Sequence, residues 1–278
     1  MKLSVIIVNY NVCVLLRQAL TTIGRACAQI DHEIFVVDNA STDNSVKMVQ
    51  NDFPEVNLIE NHKNIGFSKA NNLALKQAKG DYILLLHPDT ITKSDTVEKT
   101  VEFMKNHPVA GGLSVRMINP MGEFLPESKR GLNFPWIAFF KLTGLSKMFS
   151  KSRFYDRNSK YGTEEYETTE IDILSAPFML LRKSALKRTG LLDERFFMYG
   201  ENIDLSYRIR KAGFKNYYFP KTYIIHFKEH SIHQFSWKYI KHFYGAMFIF
   251  AGKYLFRMPR LQLKGMGPIF KPSYEVER

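Results

Sequence analysis

Cysteine, acidic charge and long apolar runs are what this chain has least of. It has two cysteines in 278 residues. Cys13 and Cys27 fall on what reads as one helix, where a 1.5 Å rise per residue sets them about 21 Å apart, too far for a disulfide. That excludes a disulfide-stapled scaffold and fits reduced thiols in the cytosol. No uninterrupted apolar stretch reaches the ~18 residues of a spanning helix, so membrane contact would be peripheral. The run LSVIIV at 3–8 is too short for a signal peptide and lacks its small-residue cleavage site. No G-x-G-x-x-G follows it, which sets aside a nicotinamide oxidoreductase. Repeats, low-complexity tracts and recognised nucleic-acid-binding motifs are absent, so nucleic acid is not an expected partner. Three histidines, His226, His230 and His233, lie close in sequence, but without a cysteine or a standard spacing they do not read as a zinc centre.

What is present is basic and apolar. Against 27 Asp+Glu stand 39 Lys+Arg, a formal charge of +12 that favours a polyanionic partner such as an anionic lipid surface or a diphosphate-bearing substrate. A 45% hydrophobic content supports one large α/β domain with a buried core. Apolar β-rich runs at 3–8, 33–37, 56–59 and 82–86 alternate with helical spacings from Val12, through Val46 and Val49, and from Ala70 to Ala78, which Gly80 would stop. Such alternation predicts a mainly parallel sheet flanked by helices, with ligands beyond the carboxyl ends of the strands. Another helix is expected at 94–106, then a less regular middle over 114–170, order again at 171–181, a helix at 202–212 ending at Gly213, and a strand at 216–219. From Ser236 an amphipathic helix with an aromatic stripe and flanking cations follows, and it suits either an anionic lipid interface or packing on the domain. The exposed-looking NFPWIAFF at 133–140 and the basic tail through Arg260 and Lys264 favour the membrane. The expected division is a catalytic domain over 1–232 and a C-terminal helix with basic tail over 233–278.

Polar residues cluster where the strands end. Asn9 follows the first. VDNASTD at 37–43 places the carboxylate of Asp38 and the amide of Asn39 where they suit a base edge or ribose hydroxyls, with Asp43 as a structural residue. NIGFSKANN at 64–72 sets Gly66 before a helix start, with Asn64 and Asn71 nearby, so that backbone amides could approach an anion or sugar. GDYILLLHPDT at 80–90 delivers Asp89 to the rim, a carboxylate suited to a divalent ion bridging phosphates, with His87 facing donor sugar or phosphate. FFMYGENIDLSYRIRKAGF at 196–214 brings Glu201 and Asp204 to a helix start, where one carboxylate could take a proton from an attacking hydroxyl. His226, after YII at 223–225, could complete a metal shell or touch a diphosphate.

Taken together and in this order, these segments resemble the family 2 glycosyltransferases, especially bacterial rhamnosyltransferase-like members, over about residues 3–230. The resemblance implies a GT-A, Rossmann-like fold and a nucleoside diphosphate-sugar donor carrying dTDP, UDP or GDP. It also implies a divalent metal, Mn2+ or Mg2+, and inversion at the anomeric carbon. A saccharide or polyprenyl-linked acceptor and a place in cell-surface polysaccharide or lipopolysaccharide assembly, on the inner face of the cytoplasmic membrane, follow from the same resemblance. Asp38 and Asn39 would hold the nucleoside, Asp89 the metal, and His226 would assist at the diphosphate. Two positions depart from the family's pattern. His87 stands at the first acidic position of the metal motif, and Asn202 stands where the family usually has the aspartate assigned as base. An amide cannot accept that proton, so the base falls to Glu201 or Asp204. The alternative is a weak or inactive nucleotide-sugar-binding protein.

Overall fold

The computed structural model of the chain describes residues 2–130, 136, 139, 140, 142, 143, 164–227 and 237–254. Strands β1 (Leu3–Asn9), β2 (His32–Asp38), β3 (Asn57–Glu60) and β4 (Tyr82–Leu86) alternate with helices α1 (Cys13–Cys27), α2 (Ser45–Asp52) and α3 (Phe67–Leu75). After these come β5 (Thr90–Thr92), α4 (Thr96–Asn106), β6 (Ala110–Ile118), a short α5 (Glu127–Arg130), β7 (Thr169–Ile171) and β8 (Phe178–Arg182). The described chain closes with α6 (Lys183–Thr189), α7 (Glu201–Lys211), β9 (Lys215–His226) and α8 (Trp237–Tyr254).

One mixed sheet runs in the order β3-β2-β1-β4-β8-β6-β9-β5, with β7 on β9. The half built from β3, β2, β1 and β4 is parallel, as strand–helix alternation requires. Antiparallel β8 then joins β4 to β6. Every residue of β1 and β4 is buried because helices cover both faces. Alternate side chains of β1 divide the core. Leu3, Val5 and Ile7 pack with Leu16, Leu20 and Ile23 of α1 and Val97 and Val101 of α4, while Ile6 and Val8 pack with Ala70 and Ala74 of α3 and Leu205 and Ile209 of α7. A third cluster seats α8 on α7 through Ile203, Phe243, Met247 and Phe250.

Four expectations are corrected. The α3 helix ends at Leu75, not at Gly80; Gly80 instead lies against β1, where its N–H donates to Ser4 Oγ at 2.8 Å. Residues 110–118, partly assigned to the irregular middle, form the nine-residue strand β6. The pieces at 216–219 and 223–225 are one strand, β9, whose pairing with β6 steps from Phe219 to Tyr223 and so passes over Pro220, which has no N–H to give. Trp136 and Phe140 are buried against Phe250 rather than exposed. The packing alternative for the C-terminal helix therefore holds along Phe243, Ala246, Met247 and Phe250, while Tyr244 and Phe248 stand exposed on the other side. Cys13 and Cys27 are free thiols at opposite ends of α1. No helix among the described residues is long and apolar enough to cross a membrane. His230, His233, Arg260 and Lys264 lie outside the described residues.

Candidate active site

Strand register decides which polar residues meet. Asn9 pairs with Asp38 across β1 and β2, and the β4 partners end two residues earlier along β1, at Ile7 and Leu86, so His87 and Asp89 emerge on the same rim. Asn9 Nδ2 donates to Asp38 Oδ2 at 2.8 Å, and Ser41 closes the group by donating Oγ–H to the same oxygen at 2.6 Å and N–H to Oδ1 at 2.8 Å. Asp38 is thus held in place by Asn9 and Ser41, whereas Asn9 Oδ1 is buried with no hydrogen-bond partner. Beside them Asn39 accepts from Asn61 Nδ2 at 3.0 Å and donates to the Gly66 carbonyl at 3.4 Å. Asp43 is structural as expected, accepting the Cys13 and Ser45 N–H groups that open α1 and α2.

The Gly66 turn is differently used than its sequence suggests. Its φ is +86°, and a Cβ there would sit 2.7 Å from the Phe197 carbonyl oxygen. The Gly66 N–H is taken by Asn64 Oδ1 at 3.0 Å and the Phe67 N–H by Phe197 O at 2.7 Å. These two amides are therefore engaged within the protein; they lock α3 to the segment before α7. Asn71 donates to the Phe67 carbonyl, leaving its buried Oδ1 without a partner. Asn72, the last residue of the NIGFSKANN motif, ties α3 to the same segment through Leu192 and Glu194.

His87, Asp89 and His226 converge. One ligand atom from each lies within 4.8 Å of the others. The Asp89 Oδ1 atom is 3.8 Å from His87 Nδ1 and 3.5 Å from His226 Nε2. The antiparallel ladder between β5 and β9 causes this, pairing Thr90 with His226 and giving the Phe227 N–H to the Asp89 carbonyl at 2.9 Å. Phe67 meets the His87 ring edge-on at 5.5 Å, which joins this group to the α3 turn. Burial, partly offset by the Asp89 charge, lowers the His87 pKa and keeps the ring neutral, the form that ligates. Two imidazoles and a carboxylate with their ligand atoms this close fit a divalent cation. His87, expected on the donor sugar or phosphate, sits among the potential metal ligands.

Glu201 and Asp204 part company. Glu201 opens α7 after two residues at positive φ, Tyr199 at +67° and Gly200 at +116°. It is buried with Oε2 unpartnered. Burial first, and then the charge of Asp204, pushes its pKa up to about 7, against the pull of a backbone hydrogen bond. Asp204 instead accepts from Arg208 Nε at 2.8 Å, Tyr254 OH at 2.7 Å and Lys253 Nζ at 2.5 Å. The structure therefore corrects its expected place: this carboxylate anchors α8 to α7. Asn202 donates Nδ2 to the Leu174 carbonyl at 2.9 Å.

A parallel half-sheet whose rim carries these groups defines a GT-A protein, and solved structures bear this out. S. aureus TarS 1-349 in complex with UDP-GlcNAc superposes with a TM-score of 0.62 at 21% identity, covering 90% of this chain and 66% of that one. A mannosyltransferase from Pyrobaculum calidifontis, in complex with GDP-Man and Mn2+, gives 0.56 at 19% identity, covering 82% and 57%. Residues 4–190 match glycosyl transferase family 2, and the chain belongs to that family. Within it the chain is rhamnosyltransferase-like. The N-acetylglucosaminyl-diphospho-decaprenol L-rhamnosyltransferase of Mycobacterium tuberculosis is 27% identical over 214 residues, which cover 71% of this chain and 67% of that protein.

Proposed function

We propose that this chain transfers a sugar from a nucleoside diphosphate-sugar to an acceptor hydroxyl with inversion, in cell-surface polysaccharide or lipopolysaccharide assembly. The observation that carries the reading is the His87, Asp89 and His226 group set beside the Asn9, Asp38 and Asn39 rim in a family 2 chain. Asn9 Oδ1 and Asn71 Oδ1 are buried acceptors with no protein donor, and polar groups of a bound donor would satisfy them. His87, Asp89 and His226 would hold Mn2+ or Mg2+, which when bound offsets the charge of the departing diphosphate. Glu201 accepts the acceptor hydroxyl's proton as that oxygen bonds to the anomeric carbon, while the bond from that carbon to the diphosphate oxygen breaks and the nucleoside diphosphate leaves. A carboxyl with a pKa of about 7 exchanges a proton near neutrality, which suits this role.

The mycobacterial relative's name supports a rhamnosyl donor and a polyprenyl diphosphate-linked acceptor, with dTDP, UDP or GDP as the carrier. We place the catalytic domain over 1–232, with 233–278 as its C-terminal appendage. Lipid-linked acceptors and the exposed Lys241, Tyr244 and Phe248 of α8 support peripheral contact with an anionic membrane. Nothing in the relatives' names favours an inactive binding protein. The test is a thermal-shift screen of dTDP-, UDP- and GDP-sugars with and without Mn2+ or Mg2+. One nucleotide class should stabilise the protein, more strongly with metal; no shift with any donor would reject the proposal.

A further inference from the structure

Lys253 stands where one ammonium holds both ends of the segment that delivers Glu201. Its Nζ lies 2.8 Å from Asp193 Oδ2 and 2.5 Å from Asp204 Oδ1. Between those carboxylates the chain runs through Phe197, whose carbonyl locks α3, then through Tyr199 and Gly200 at positive φ, to Glu201. A residue such as Tyr199 keeps that backbone only when its surroundings over-determine it. The α8 helix supplies the surroundings. At its outer end His242 stacks on Phe197 with ring centroids 4.2 Å apart and Phe243 meets Tyr199 edge-on at 5.7 Å; at its far end Tyr254 donates to Asp204.

Lys253 differs from the other cations here. Asp193 already has Arg195, bound through Nε at 2.9 Å and Nη2 at 2.6 Å, and Asp204 already has Arg208. Each carboxylate keeps a guanidinium if Lys253 is removed; what disappears is the link between them. Burial raises the Asp193 pKa, but the Arg195 hydrogen bond and the Lys253 charge outweigh it and hold the carboxyl well below its ordinary range. Burial and then the Asp204 charge keep the Tyr254 phenol protonated, so it remains a donor.

We infer that α8 is a clamp on the active-site segment and that Lys253 is a positioning residue, fixing the turn at 199–200 so that the Glu201 carboxyl meets the acceptor hydroxyl. This rests on Glu201 as the proton acceptor. The experiment compares wild type, Lys253→Met, Lys253→Arg and Glu201→Gln in the full chain, with dTDP-rhamnose as donor and polyprenyl-diphospho-N-acetylglucosamine as acceptor. Misplacement of a reacting group by about 1 Å can cost ~100-fold. Lys253→Met should therefore lower kcat about 10- to 100-fold with donor KM and melting temperature close to wild type, and Lys253→Arg should recover most of the loss. Unchanged kcat in Lys253→Met, or a fall in kcat that comes with a raised donor KM and a lowered melting temperature, overturns the clamp. Should Lys253→Met not fold, Tyr254→Phe, which keeps the ammonium, carries the same reading: a lower kcat at unchanged donor KM supports the clamp and an unchanged kcat overturns it. Full turnover in Glu201→Gln would sink the underlying assignment; lost turnover there with Lys253→Met unaffected sinks the clamp alone.

Discussion

Glu201 and Asp204 stand one turn apart on α7, yet only Glu201 keeps a buried carboxyl oxygen without a donor, while Asp204 takes hydrogen bonds from Arg208, Lys253 and Tyr254. A carboxylate that must accept a proton needs an available lone pair, and the hydrogen bonds from Arg208, Lys253 and Tyr254 occupy those of Asp204. Replacing Glu201 with Gln keeps the shape and removes the proton acceptor. Turnover should fall about 100- to 10,000-fold, the ordinary range for a general base, with donor affinity retained. Steady-state kinetics beside a donor-binding isotherm would show it, and a Glu201→Gln protein of normal rate would exclude the role.

The same carboxyl sets two pH dependences. Because the base must be ionised, kcat should rise with pH through about 7 and then level. Stability should move the other way. The folded protein holds the Glu201 proton to a higher pH than the unfolded chain does, so this group's contribution is fully present below the unfolded value of 4.5. It is lost as pH climbs to about 7. The amplitude is roughly 3 kcal/mol, at 1.36 kcal/mol for each pH unit of displacement. Denaturant midpoints between pH 4 and pH 8 should lose this slope in Glu201→Gln.

Metal dependence should reside in three side chains. Asp89→Ala removes the carboxylate that lies between His87 and His226. Metal-stimulated turnover should vanish and the donor's thermal shift should no longer respond to Mn2+, while the circular dichroism spectrum stays native. Retention of full metal-dependent activity would remove Asp89 from the site.

Gly66→Ala tests the turn instead of the chemistry. The new methyl would need a φ that L residues disfavour and would meet the Phe197 carbonyl oxygen at 2.7 Å. A loss of about 1–3 kcal/mol is expected from strain of this kind, read as a lowered denaturant midpoint. Wild-type stability would mean that α3 and the segment before α7 are not locked together as described.

How much of this was legible depended on whether a residue's partners were near in sequence. The parallel half of the sheet was readable because β1 and β4 are unbroken apolar runs and α1 keeps strict helical spacing. The strand β6 was hidden by Gly111 and Gly112, since glycine argues against a strand; here a Cβ on Gly112 would press on the side chain of Leu174, so the glycine lets Leu174 pack against the strand. Pro220 likewise split β9 on paper. Asn9, Asp38, Asp89 and His226 could be placed on one rim because Asn9, Asp38 and His226 each end a strand and Asp89 follows one by three residues. The role of Asp204 was not readable, because acids at a helix start are equally suited to capping or chemistry, and its partners Lys253 and Tyr254 arrive from a helix about fifty positions later in the chain.

Asn202 offers the sharpest remaining test, because it occupies the position at which the family resemblance places an aspartate base. Its Nδ2 donates to the Leu174 carbonyl at 2.9 Å in a buried setting. In Asn202→Asp a carboxylate oxygen would face that carbonyl, with a hydrogen bond lost and two acceptors opposed, at a cost of about 1–3 kcal/mol. If Glu201 already accepts the proton, the substitution should lower the denaturant midpoint without raising kcat at pH 8, where Glu201 is ionised. If instead kcat rises several-fold despite the lost stability, the side chain at 202 reaches the acceptor hydroxyl and the native protein works without its best base. Comparing Asn202→Asp in the presence and absence of Glu201→Gln separates the cases, since activity in the double variant above that of Glu201→Gln alone comes from the new carboxylate.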